Sequence, residues 1–162
     1  VAPRRPRVPG GEEEEPRIPV EPEVPIPPEQ EEALLARYEA WKAQWNGSLV
    51  EFIVWEYLTI TKKQVPMVDF IFQAPFLGGR TLFGGFIADF AFPMRNEVWM
   101  VQGIRWHLQQ PADRAQTFMA EAQLSAQGWK VLELWEDDIL ERPLFVLSLA
   151  WERGADVPER KF

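Results

Sequence analysis

Residues 84–107 read GGFIADFAFPMRNEVWMVQGIRWH. Two near-continuous apolar runs, Phe86 to Phe92 and Val98 to Ile104, stand on either side of Pro93 to Asn96. Runs of this kind are expected of buried central strands. The proline and asparagine between them read as a tight turn, so the pair is predicted to be antiparallel. Three polar residues interrupt the apolar pattern. Asp89 falls inside the first run, Gln102 falls near the end of the second, and His107, the only histidine of the chain, follows Trp106. A carboxylate in an apolar strand is costly to bury unless it is paired or binds a cation. An acid, an amide and an imidazole on adjacent strands therefore point to a site. The competing reading of Asp89 is an acid on a strand edge or in a structural ion pair.

Working outward, Gly78-Gly79 and Gly84-Gly85 are turn signals around residues 80–83, and Val68 to Gln73 is a short β-rich run. Upstream, residues 29–45 read as a helix. Leu34, Leu35, Tyr38, Trp41 and Trp45 fall near helical spacing, acids crowd its start, and Asn46-Gly47 stops it. Ser48 and Glu51 then form the S-x-x-E capping box of a second helix. Downstream, Ala112 to Gln127 reads as a helix capped by Gly128, Lys130 to Leu134 as a strand, and Pro143 to Trp151 as a final helix. A meander followed by helix, strand and helix predicts an α/β fold, a mixed sheet with helices on both faces.

Residues 1–28 differ in kind. They hold nine of the 15 prolines, and Pro16, Pro19, Pro22, Pro25 and Pro28 recur every third residue, the repeat of polyproline II. This proline-rich acidic segment reads as an extended arm, either a semi-rigid linker or a strap on a protein partner. The domain proper is expected over residues 29–152, with a polar tail at 153–162. Net charge is −8, and residues 1–32 carry −5 of it. No part has the basic excess of a protein that grips nucleic acid through phosphates alone, although metal ions can neutralise phosphate locally. The absence of cysteine excludes disulfides and thiolate metal sites. No apolar run reaches the roughly 18 residues of a membrane span, and no signal peptide is evident, so no membrane partner is expected.

The donor types suit a hard cation. Mg²⁺ takes one or two carboxylates and keeps several waters, so Asp89, the backbone carbonyl of Val101 and the amide oxygen of Gln102 are candidate ligands. His107 is a candidate general base or acid. Glu51 is explained as the capping acid, and can also hold a metal-bound water. Gly103 permits close backbone approach.

The ordered set of a helix with Glu51, a strand with Asp89, Gly103 before Trp106-His107, and Gly128-Trp129-Lys130-Val131 closing on Trp135-Glu136 resembles the PD-(D/E)XK nuclease superfamily. It is most similar to the very short patch repair endonucleases and their phage-encoded relatives, over roughly residues 48–141. The resemblance implies a restriction-endonuclease-like fold and Mg²⁺-dependent hydrolysis of DNA. Asp89 and the Val101 carbonyl would be the metal ligands, His107 the catalytic histidine, Glu51 the holder of a metal-bound water, and Arg105 and Trp106 the DNA contacts. The chain departs from the repair enzymes at Gln102, where they have a second histidine, at Arg105, where they have an aromatic wedge, and in lacking zinc-binding cysteines. Two functions follow as expectations. The first is a phage-related Mg²⁺-dependent endonuclease acting in a host cytoplasm. The second is a catalytically altered nuclease-fold component of a virion or other large complex, held there by its N-terminal arm.

Overall fold

Eight tryptophans in 162 residues set the packing problem, and the structure solves it by gathering five of them, three of these buried, on one side of a sheet. In the computed structural model, which describes residues 27–76, 85–103 and 111–154, helix α1 spans Pro28–Trp45 and α2 spans Leu49–Glu56. Asn46, in the left-handed conformation at φ 55°, closes α1 by donating its N–H to the Lys42 carbonyl. Asparagine tolerates that conformation better than most residues. Ser48 and Glu51 open α2 with a complete capping box. Ser48 Oγ accepts from the Glu51 N–H at 3.2 Å, and Glu51 Oε2 from the Ser48 N–H at 2.6 Å. One π-helical turn, Tyr57–Thr61, continues α2.

Strands β1 (Ile71–Phe76), β2 (Phe86–Phe92) and β3 (Glu97–Gln102) come next, followed by α3 (Pro111–Ala126), β4 (Lys130–Trp135), α4 (Glu136–Glu141) and α5 (Pro143–Arg153). The sheet order is β1-β2-β3-β4. The first two pairings are antiparallel, and β3 with β4 is parallel. The two apolar runs thus form the central strands, and β2 covers the whole of its run. The turn between them is a single 3₁₀ turn, Pro93–Arg95, ended by left-handed Asn96 at φ 50°. Pro75 sits on the edge strand β1, where a missing N–H is tolerated. Among the described residues no helix is long and apolar enough to cross a membrane.

Helices cover both faces, as expected. On one face Trp41, Trp55, Phe52, Phe70, Phe72, Phe90, Phe92 and Trp99 form the main core with residues from α2, α4 and α5. Trp41 is its hub. Its ring lies 5.3–6.3 Å from those of Tyr38, Phe52, Trp55 and Phe72. Gly47 must stay a glycine here, because a Cβ would press into the Trp41 ring and meet Phe72 at 3.0 Å. On the other face Leu124 of α3 packs with Ala74, Ala88, Ala91 and Val98. At the far end of β3, Glu97 is 4% exposed and satisfied. It accepts from the Trp99 indole at 2.7 Å and pairs with Arg95 at 3.5 Å, whose guanidinium lies over the Trp151 ring.

Some expectations shift. The β-rich run at Val68 to Gln73 pairs as Ile71–Phe76 instead, because Val65 to Asp69 is taken up by a turn with Val65 N–H on the Asp69 carboxylate. Pro28, expected in the arm, is the first residue of α1. Helix α4 is an addition. It is six residues long with one buried side chain, Ile139, and starts on three acids, Glu136, Asp137 and Asp138, that suit a helix N-terminus. The turn at Gly78-Gly79, residues 80–83, arm residues 1–26 and tail residues 155–162 lie outside the described residues.

Replacing Trp41 by alanine empties the hub of the core. The Trp41→Ala variant is expected to lose about 3–5 kcal/mol of unfolding free energy, measured by denaturant titration. A loss below about 1 kcal/mol would place the hub elsewhere.

Candidate functional site

The site begins with a fault in strand alternation. In a regular strand, residues i and i+2 share a face. In β2, Phe90 and Phe92 pack in the main core, yet Ala88 and Phe86 pack on the opposite face. In β1, Phe72 packs in the main core and Ala74 and Phe76 on the opposite face. The two strands change faces together, at Asp89 and at Gln73 across from it. The pairing runs Phe72 to Phe90 and Ala74 to Ala88, without a Gln73–Asp89 pair. Gln73 has a left-handed backbone, φ 51°, rare for a non-glycine residue and typical of strained positions near functional sites.

The same fault interrupts the pairing of β2 with β3, which stops at Phe90 with Trp99. Where the next backbone acceptor would stand, the Asp89 carboxylate takes over: Oδ2 accepts the Val101 N–H at 2.7 Å. A strand residue points its N–H and C=O toward the same neighbour. The Val101 carbonyl therefore faces the Asp89 side of β3.

An open cleft of about 330 Å³ lies at this gap, lined by Ser48, Val50, Glu51, Asp89, Val101, Gly103 and Glu136. The capping box holds Glu51 at the start of α2. Asp89 comes from β2, Val101 and Gly103 from the end of β3, and Glu136 from the start of α4. Parallel pairing of Gln102 with Trp135 sets Gly103 beside Glu136. A Cβ on Gly103 would lie 3.1 Å from Glu136 Oε2, so the glycine leaves room for that carboxylate.

The structure thus brings together three of the expected site residues, Asp89, Glu51 and Val101, and adds Glu136. Gln102 is not among the residues lining the cleft. It is buried, 4% exposed, and alternation along β3 puts it on the face of Val98 and Met100, opposite Val101. Arg105, Trp106 and His107 lie outside the described residues. Glu136 was legible only as part of the Trp-Glu close of the last strand. Its place in the cleft depends on a parallel register that local sequence does not specify.

The polar side chains that line the cleft offer oxygens alone, the Glu51, Asp89 and Glu136 carboxylates and the Ser48 hydroxyl, which is the donor type a hard divalent cation prefers. Among the described residues, no three His, Cys, Asp or Glu side chains are grouped closely enough to hold a metal ion on their own. A Mg²⁺ site does not need three, since one or two carboxylates with water complete it. No family model, curated protein or solved structure matches the chain.

Two substitutions separate the helix cap from the Asp89 hydrogen bond. Ser48→Ala removes the cap and is expected to cost about 1 kcal/mol of stability. Asp89→Ala leaves the Val101 N–H without its acceptor and is expected to cost about 1–3 kcal/mol. Hydrogen exchange at the Val101 amide should quicken in Asp89→Ala and stay slow in Ser48→Ala. Unchanged exchange in Asp89→Ala would show that the carboxylate does not protect that amide.

Proposed function

We propose that the protein is a Mg²⁺-dependent DNA endonuclease whose site is the cleft between β2 and β3. The observation that carries this reading is the convergence of Asp89, Glu51 and Glu136 with the Val101 main chain on one open cleft. In this reading Asp89 and the Val101 carbonyl hold the cation, and Glu51 and Glu136 hold its waters. A bound divalent cation would supply charge stabilisation at phosphorus and a more acidic water. Gly103 has no side chain of its own, which lets a phosphodiester backbone come close beside the Glu136 carboxylate. His107, just beyond β3 in sequence, is the group proposed to take the proton from water. Glu51 contributes in a fixed orientation, since one of its oxygens is held by the Ser48 N–H. Arg105 and Trp106 are proposed to meet the DNA.

One observation favours a second reading. Asp89 and Glu51 both have structural duties, as partners of Val101 N–H and Ser48 N–H. A fold that keeps its acids for such duties suits a nuclease-like component of a virion or other assembly, with the N-terminal arm on a protein partner.

Nicking of supercoiled DNA with Mg²⁺ distinguishes the two. The endonuclease reading expects activity in the wild type, abolished by EDTA, by Asp89→Asn and by His107→Ala. Asp89→Asn retains a side-chain oxygen for Val101, so its loss of activity would not stem from unfolding. Equal nicking by wild type and Asp89→Asn, or none by a folded wild type, would sink the catalytic reading.

A further inference from the structure

Helix α1 overhangs the body. Its C-terminal half is anchored through Tyr38, Trp41 and Trp45, whereas every residue from Pro27 to Ala33 is exposed. Beneath the overhang runs a groove of about 570 Å³, far from polar in character. Leu34 and Leu35 form one wall, Ile53 and Ile60 the floor, and Leu140 and Leu144 the other wall. Leu35, Ile60, Leu140 and Leu144 are 45%, 59%, 43% and 66% exposed. An apolar concavity of this kind, open to water, marks a surface that another chain segment covers.

The occupant follows from where the chain enters. Twenty-six residues precede Pro27, and the groove starts one helical turn after it, at Glu31. We propose that the groove is covered in cis by residues 17–26, RIPVEPEVPI, folded back along α1 from Pro27. Three features of this stretch fit. Its spacing of Pro19, Pro22 and Pro25 makes a continuous ridge on one face of a polyproline II helix, flanked by Ile18, Val20, Val24 and Ile26. Glu21 shares one flanking face with Ile18 and Val24, and Glu23 the other with Val20 and Ile26, so neither acid lies on the ridge; of the two acids that line the groove, Glu31 and Glu56, the second is already paired with Arg37. Ten residues in that form extend about 31 Å, longer than the roughly 27 Å of the 18-residue α1.

The energetics favour the chain's own segment over an outside one. Prolines leave little backbone freedom to lose on docking. A segment tethered at the groove's rim has an effective concentration on the order of millimolar, so shallow apolar contacts suffice. The groove shares no lining residue with the cleft between β2 and β3, and the fit stands whether or not that cleft cleaves DNA.

The absence of native cysteine makes the test clean, because an introduced pair has no competitor. In the full chain, Val24→Cys is combined with Leu144→Cys on the groove wall, or with Phe118→Cys as a control. Phe118 is 72% exposed on α3, whose Leu124 packs on the opposite face of the sheet. The rate of disulfide formation is followed under mild oxidation, with the product's mass read by size-exclusion light scattering. Docking in cis predicts a monomeric disulfide that forms at least roughly tenfold faster at Leu144 than at Phe118, independent of protein concentration. The pair Val24→Cys with Leu35→Cys on the facing wall should behave as the Leu144 pair does. Equal rates at Leu144 and Phe118 would overturn the proposal. So would links that form only between chains, which would assign the groove to a second copy.

Discussion

A carboxylate set inside an apolar strand has to be given a partner, and the partner it finds shapes the sheet. Asp89 accepts the Val101 N–H at 2.7 Å. That bond stands in for backbone pairing that would otherwise carry β2 and β3 on past Phe90 and Trp99. By replacing a main-chain acceptor with a side chain, it holds the two strands together while letting them part. The gap it leaves is where Glu51, Gly103 and Glu136 meet.

The parting has consequences on both faces. Beyond Asp89, the large aromatic residues Phe90 and Phe92 turn into the main core, where Trp41, Trp55 and Trp99 receive them. Before it, Phe86 and Ala88 turn to the side covered by α3. One polar position therefore divides the sheet into two packing regimes, and strained Gln73 makes the matching change in β1. Anchoring comes from the aromatic hub around Trp41, which ties α1 and α2 to the sheet and so fixes the capping box that holds Glu51. The first turns of α1 lie outside this anchorage, which is why a groove opens beneath them. Arg37 spans part of that gap on the surface. Its guanidinium pKa is raised by the hydrogen bond to the Glu56 carboxylate, 2.6 Å away.

Local chemistry decided how much of this could be read in advance. The extent of β2, the turn after it and both cap signals at Asn46 and Ser48 were legible, because each rests on neighbouring residues alone. Asp89 and Glu51 stood out because each is a carboxylate with a local reason to be placed. Gln102 stood out equally, but alternation along β3 turns it away from Val101, and only the observed face of each strand decides that. The place of Glu136 in the cleft and the whole of α4 escaped notice because a parallel register and a six-residue helix leave faint local marks. The groove beneath α1 was illegible for a similar reason. A leucine at helical spacing signals burial, and nothing in Leu35 or Leu144 foretells that the surface meant to cover it comes from beyond the helix.

The oxygen-lined gap between β2 and β3 is proposed as a site for a hard divalent cation. Paramagnetic relaxation by Mn²⁺ on the ¹⁵N-labelled full chain tests this directly, since Mn²⁺ shares the oxygen preference of Mg²⁺. Substoichiometric Mn²⁺ is expected to broaden the amides of Glu51, Val101, Gly103 and Glu136 first, excess Mg²⁺ to restore them, and Phe118 on α3 to be spared. Broadening centred on another acidic patch, or no selective broadening at all, would contradict it.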